Sequence, residues 1–306
     1  MAEEIMATTI SSKLLETLAR ASRGEVHSVF ERTFNILIGG SLIGVGRRDV
    51  SPGPFNLIVN LPSGKTMKEL GIKRGMPVVV ENCEIKIGDL IIINTSGARI
   101  WRPRTRTEAK PVREIERNWK VGEEVAISEG AGKGFGALIP FIEKIMDGDD
   151  APGIKGIEKI AYQRLSALVG AVLRRDVNEL AEQAKRLIGL GGGLTPSGDD
   201  ALSGFMAALW WLSSSLDVAV DDVKRINNAI ATQAQQTMLL SRQILYHASR
   251  GEVSERVERL LNALLAGDAD DVEREVKEVI KIGETSGADM LLGILLGTKV
   301  GLRMIR

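Results

Sequence analysis

The chain has one cysteine, Cys83, and two histidines, His27 and His247, in 306 residues. A lone cysteine excludes an internal disulfide, and three scattered soft ligands exclude a structural zinc site of the cysteine and histidine type. Any metal would be held by oxygen, which points to magnesium, manganese or calcium. Net charge is missing as well: 40 Lys and Arg balance 40 Asp and Glu. No overall field draws the chain to nucleic acid or to an anionic membrane, so neither is expected as a partner. Long apolar runs are also absent. The stretches Ala201 to Leu212 and Met290 to Leu296 are too short to span a bilayer, and MAEEIMATTI has no basic segment ahead of an apolar one. The cytoplasm is the expected compartment.

A hydrophobic share of 44% with 26% charged residues is that of an ordinary globular protein. The length is about twice that of a usual domain. After a short amphipathic helix carrying Leu14, Leu15, Leu18 and Ala19, ended by Gly24, alternating segments such as VHSVF, FNILI, SLIGV, FNLIVNL, PVVVE, EIKI and LIIIN predict strands from about Val26 to Trp101. A helix is predicted at Val112 to Trp119, a short strand at Glu124 to Ser128, and a further helix at Ala137 to Met146 after the glycine-rich AGKGFG. From Ile157 onward the pattern is helical, broken at glycines. The expected fold class is α+β. A β-rich N-terminal domain with a leading helix spans 1–107, a connecting segment 108–155, and a helical domain 156–306.

The helical part contains an internal repeat. RLSALVGAVLRRDVNEL, from Arg164, matches RLLNALLAGDADDVERE, from Arg259, at an offset of 95 residues, which pairs Asp176 with Asp271 and Val177 with Val272. After an insertion of six residues in the first copy, Thr195, Ser197, Gly198, Asp200, Leu202 and Gly204 fall on Thr285, Ser286, Gly287, Asp289, Leu291 and Gly293. Each copy reads helix, turn, then SGxDxLxG opening another helix, a duplicated helix-turn-helix unit.

The segment GGGLTPSGDD, Gly191 to Asp200, is the candidate functional centre. With Ser197 as N-cap, the first turn exposes backbone N–H groups and the positive end of the helix dipole, which suits an anion. Gly192 and Gly193 would let backbone approach a ligand, and Thr195, Ser197 and Gly198 would contact it, joined by Thr285, Ser286 and Gly287 of the second copy. Asp199 and Asp200 would repel a bare phosphate. They therefore imply either a bridging divalent cation, magnesium first, held by Asp199, Asp200 and Asp289, or a carboxylate acting as general base. Capping competes with this reading, because Ser197 with Asp200 and Ser286 with Asp289 are S-x-x-D pairs. Three consecutive glycines exceed what capping needs. Gly204 and Gly293 lie seven residues past the cap serine, where two helices can cross closely, and the two helix starts are expected to face one shared site. SGKT at 63–66 lacks the earlier glycine of a phosphate loop and reads as a hairpin turn, and RPRTRT reads as a solvated linker. A lone His247 in a helix is more often packed than catalytic.

The strings GxGLTPSGDDxLxG, IGxTSGxDxLxG (Ile282 to Gly293) and GPFNLIV (Gly53 to Val59) resemble a bacterial and archaeal family that includes the AllH-type third subunit of oxamate carbamoyltransferase. Glu284 and Ala288 stand where many relatives of that family carry His and Trp. The resemblance implies a multisubunit enzyme of allantoin nitrogen metabolism that moves a carbamoyl group between oxamate and phosphate. On it, the expected function is a carbamoyltransferase subunit with hetero-subunit partners, binding a phosphorylated or carboxylate metabolite at Gly191 to Asp200. A magnesium-dependent phosphoryl-transfer enzyme and a non-catalytic metabolite-sensing or scaffolding subunit are the alternatives.

Overall fold

The computed structural model describes residues 2–20, 22–62, 64–129, 132–151 and 153–305. Two compact units divide at Pro103 and Arg104.

In the first unit nine strands, β1 (Glu3–Ser11), β2 (Arg23–Val29), β3 (Thr33–Ile38), β4 (Ser41–Arg47), β5 (Asn56–Val59), β6 (Pro77–Glu81), β7 (Glu84–Ile87), β8 (Ile91–Asn94) and β9 (Arg99–Trp101), form one sheet in the order β5-β4-β3-β2-β6-β7-β8-β1-β9. It closes into a barrel because β1 does two jobs. Its residues Glu3 to Met6 run parallel to β8, and Ala7 to Ile10 pair antiparallel with β5. Period-two alternation fills the interior: Ile85 faces Ile93 and Ile87 faces Ile91 across β7 and β8, and all four are buried. The leading helix α1 (Ser12–Arg20) is as expected, but the strand ahead of it was not. The hairpin expected at SGKT is not formed, since β5 pairs with β4 and β1 rather than with β6. Ser63 itself lies outside the described residues.

The second unit is helical: α2 (Val112–Ser128), α3 (Ile142–Asp147), α4 (Gly156–Leu173), α5 (Val177–Leu187), α6 (Ser197–Leu216), α7 (Val220–Ala231), α8 (Leu239–Ala248), α9 (Glu255–Ala266), α10 (Ala269–Ile280) and α11 (Ser286–Met304). Residues 108–155 belong to this unit. Ile115 and Trp119 of α2 are in its core, and the Trp119 indole N–H donates to the carbonyl of Leu295 at 2.8 Å. The strand expected at Glu124 to Ser128 is the last part of α2, whose Gly122 and Ala126 are buried in helical packing. The helix expected from Ala137 splits into a tight 3-10 segment, Gly134–Phe141, and α3. Pro140 lies at the split, where its missing N–H interrupts the α-helical ladder.

The repeat is real in three dimensions. Helices α4, α5 and α6 have the same order as α9, α10 and α11, with one correction to the alignment. The caps equate Asp176 with Asp268, not with Asp271: each accepts the backbone N–H three residues on, at 3.0 Å. Helices α6 and α11 are buried on nearly every side, as a central pair must be.

Candidate ligand site at the paired helix starts

Pro196 and Thr285 cap α6 and α11, and neither makes a side-chain capping bond. The Pro196 carbonyl accepts the amides of Asp199 (2.9 Å) and Asp200 (3.1 Å), and the Thr285 carbonyl accepts that of Asp289 (2.9 Å). Ser197 is therefore the first helical residue rather than the N-cap, and neither S-x-x-D pair closes a capping box. The acids are left for other work.

The two helices cross about an approximate two-fold axis that can be read from their glycines. A Cβ on Gly204 would stand 3.0 Å from the Ile294 nitrogen and closer still to the Met290 carbonyl oxygen. A Cβ on Gly293 would stand 2.8 Å from the Phe205 nitrogen and closer still to the Ala201 carbonyl oxygen. Met290 and Ile294 are the repeat equivalents of Ala201 and Phe205. The same reciprocity holds at the helix starts. The hydroxyls of Ser286 and Thr195 face Asp200, those of Ser197 and Thr285 face Asp289, and the Thr195 and Ser286 hydroxyls lie 3.1 Å apart. The expected convergence of the two motifs is present.

A third strip of chain joins them. The Phe135 amide donates to Asp289 Oδ1 at 2.5 Å, and the Gly136 amide also favours the charged form of Asp289. Gly134 has φ +55° and its missing Cβ leaves room for the Asp289 carboxylate. The glycine-rich loop thus reaches the site, although residues 130 and 131 lie outside the described residues.

Asp200 and Asp289 are 2% and 0% exposed, and the Oδ2 atom of each is buried without a hydrogen-bond donor among the described residues. Burial raises Asp200 well above the usual carboxylate range, with the charges of Asp289 and Asp199 adding to it and the Ser286 and Thr195 hydroxyls opposing it. Burial likewise raises Asp289, against the Ser197 and Thr285 hydroxyls and the backbone amides of Phe135 and Gly136.

Asp199 is committed elsewhere. One oxygen accepts from the Gly189 amide at 2.8 Å and the other from the Thr237 hydroxyl. Among the described residues no group of three or more Asp, Glu, His or Cys is placed to hold a metal ion, so the three expected carboxylates are not assembled into one cage. The Gly198 and Gly287 amides are spent on the carbonyls of Leu190 (2.8 Å) and Ile282 (2.9 Å), and a Cβ on either glycine would run into the preceding helix. Thr237 sits just ahead of α8, and no local pattern in the sequence marks it as a partner of Asp199.

The triple glycine separates into parts. Gly191 (φ +117°) packs against the Ser197 backbone, and Gly193 (φ +87°) needs the left-handed conformation. Gly192 is exposed, with nothing near a Cβ. Gly192→Ala is expected to leave the unfolding midpoint unchanged or raised by the equivalent of about 0.4–1 kcal/mol. Weaker ligand binding by that stable variant would place ligand over the loop. Unchanged binding would remove Gly192 from the site.

A family model described as oxamate carbamoyltransferase subunit AllH matches residues 187–298, which include both SGxDxLxG motifs. A second, described as the AllH family N-terminal domain, matches residues 6–100, the barrel. No solved structure matches the chain. Among the described residues no helix is long and apolar enough to cross a membrane.

Proposed function

The chain belongs to the AllH family, and from that premise we propose that it is the ligand-holding subunit of a carbamoyltransferase of the oxamate type, with its small-molecule site where α6 and α11 begin. The observation that carries this reading is the pair of buried, donorless oxygens, Asp200 Oδ2 and Asp289 Oδ2. An unsatisfied buried acceptor costs about 1–3 kcal/mol, more if charged. Neither acid is needed for capping, and although Asp289 Oδ1 anchors the Phe135 amide, the fold makes no use of either Oδ2. A ligand that supplies donors does.

The strongest influences are burial, the Ser286 hydroxyl and the charge of Asp289 at Asp200, and burial, the Ser197 hydroxyl and the Phe135 amide at Asp289. A carbamoyl or other primary amide group suits that setting directly. Its two N–H donors can meet one orphan oxygen each, and the hydroxyls of Thr195, Ser197, Thr285 and Ser286 are available to its carbonyl oxygen. A phosphate on the ligand would need a divalent cation, magnesium first, between it and the acids. Asp199 is a positioning residue in this scheme, fixing the loop through Gly189 and Thr237.

Thermal unfolding with oxamate and with carbamoyl phosphate, each with and without magnesium, tests the site. A ligand at 100 times its dissociation constant stabilises by about 2.7 kcal/mol. Asp200→Asn and Asp289→Asn are expected to stay folded and to lose that shift. Turnover is expected only when partner subunits are added. Equal shifts in both variants would move the ligand elsewhere, and the absence of any shift in the unsubstituted protein would favour scaffolding.

A further inference from the structure

Helix α2 begins with an arrangement that folding alone disfavours. Arg113, Arg117 and Lys120 are spaced four and three residues apart, so they share one face, and all three are exposed. Two of them occupy the first two turns, where the helix dipole favours acids, and Glu116, three residues from Arg113 and four before Lys120, offsets only part of the repulsion among the three. Carboxylates in the vicinity are already engaged. Glu114 pairs with Lys110 (3.6 Å), Glu143 with Lys299 (2.6 Å) and Asp147 with Arg303 (3.0 Å). Among the described residues no carboxylate lies within ion-pair distance of Arg113, Arg117 or Lys120, and Glu123 acts on Lys120 only at longer range.

This face is one wall of a cleft of about 420 Å³, whose other wall includes Lys299 and Leu302 of α11. Trp119 lines the cleft, with the Lys299 ammonium 4.2 Å from its ring centroid. Four cations and one acid, Glu116, line it, and because Lys299 is paired with Glu143 the excess charge is that of Arg113, Arg117 and Lys120. Lys299 lies ten residues beyond Asp289 on α11, about 15 Å along the helix axis, so the cleft is separate from the paired helix starts.

We propose that this cleft binds a phosphorylated small molecule through its phosphate oxygens, at a second site independent of the one between Asp200 and Asp289. Two arginines one turn apart offer planar pairs of N–H donors that match a phosphate edge, and Lys120 adds charge without directional demand. The cleft is of the size of ordinary small-ligand sites. The carboxylate pair repels a bare phosphate, and this cationic face attracts one, so the chain has two sites of opposite preference.

Isothermal titration of the full chain with inorganic pyrophosphate, in magnesium-free buffer of low ionic strength, tests the assignment. Saturable binding of one pyrophosphate is expected, weakening as salt rises. The double variant Arg113→Gln with Arg117→Gln should bind at least about tenfold more weakly, the loss of one charge-assisted hydrogen bond or more. Its unfolding midpoint should be unchanged or raised, because repulsion is relieved. Arg117→Lys should recover part of the affinity, and Asp200→Asn should bind as the unsubstituted chain does. No saturable binding, equal binding by the double variant, loss of binding in Asp200→Asn, or a preference for citrate or a glutamate-rich peptide over pyrophosphate would each overturn the proposal.

Discussion

Replacing Gly293 by alanine is expected to lower the unfolding midpoint by roughly 6–12 °C, while the same change at Gly122 leaves it level or raises it. Both glycines are inside helices, where alanine is intrinsically better by about 1 kcal/mol. Surroundings decide the sign. At Gly122 a Cβ would make ordinary contacts of 3.4–3.5 Å with the side chains of Leu295, Leu264 and Val272. At Gly293 it would overlap the Ala201 carbonyl, which is backbone and cannot rotate away. Relief requires α6 and α11 to move apart along the contact that defines the core. Overpacking of this kind costs about 3 kcal/mol or more, and each kcal/mol is worth about 2–4 °C in a unit of this size. Gly204→Ala should behave like Gly293→Ala by the symmetry of the crossing. Because the crossing also sets where Asp200 and Asp289 meet, both variants should lose ligand binding at temperatures where they remain folded. A melt of Gly293→Ala matching that of the unsubstituted chain would mean that the helices do not approach as closely as described.

That crossing was legible in the sequence because it depends on a repeated local pattern: a small residue seven positions past a serine, in two copies. The barrel was legible for a similar reason, since each strand carries its own alternation. What escaped depends on partners distant in sequence. EEIMATTIS becomes β1 through pairing with β5, β8 and β9, which lie about 50 to 90 residues on. The segment Glu124 to Ser128 sets the β-branched Val125 and Ile127 two apart as a strand would, yet it continues α2, where Ala126 is buried in the helical core. At the site, Ser197 and Asp200 looked like a cap and its partner. Pro196 took the capping position, which released Asp200 toward the other copy, and no local pattern announces that exchange. Asp199 and Asp200 are adjacent and chemically identical, but the helix points them to different neighbours, Gly189 and Thr237 for one, Ser286 and Thr195 for the other. The glycine-rich loop that enters the 3-10 segment read only as a helix entry, and it instead presents the amides of Phe135 and Gly136 to Asp289.

Asp200→Asn should make the ligand-free protein more stable and the site inactive, a combination that separates a binding group from a structural one. Asparagine keeps the shape of the side chain and removes a buried charge. Its amide replaces an orphan acceptor with a donor beside the Ser286 and Thr195 hydroxyls, and the charge facing Asp289 is removed. The gain is about 1–3 kcal/mol at neutral pH, or roughly 2–12 °C in midpoint. The pH dependence has a definite sign. Burial raises the carboxyls of Asp200 and Asp289 above the ordinary aspartate value of 3.8. Over the range above 3.8 and up to the raised values, the folded chain therefore holds protons that the unfolded chain has released. Stability must fall as pH rises through that range. Glu258, raised by burial to about 7, slopes the same way between 4.5 and 7. Glu258 is common to both proteins, so it cancels when they are compared. Measured by denaturant titration, the advantage of Asp200→Asn over the unsubstituted chain should be smallest at and below pH 3.8 and should grow as pH rises above it. If asparagine destabilises at pH 8 by as much as a lost structural hydrogen bond, Asp200 is holding the fold together, and the ligand must be sought away from the helix pair.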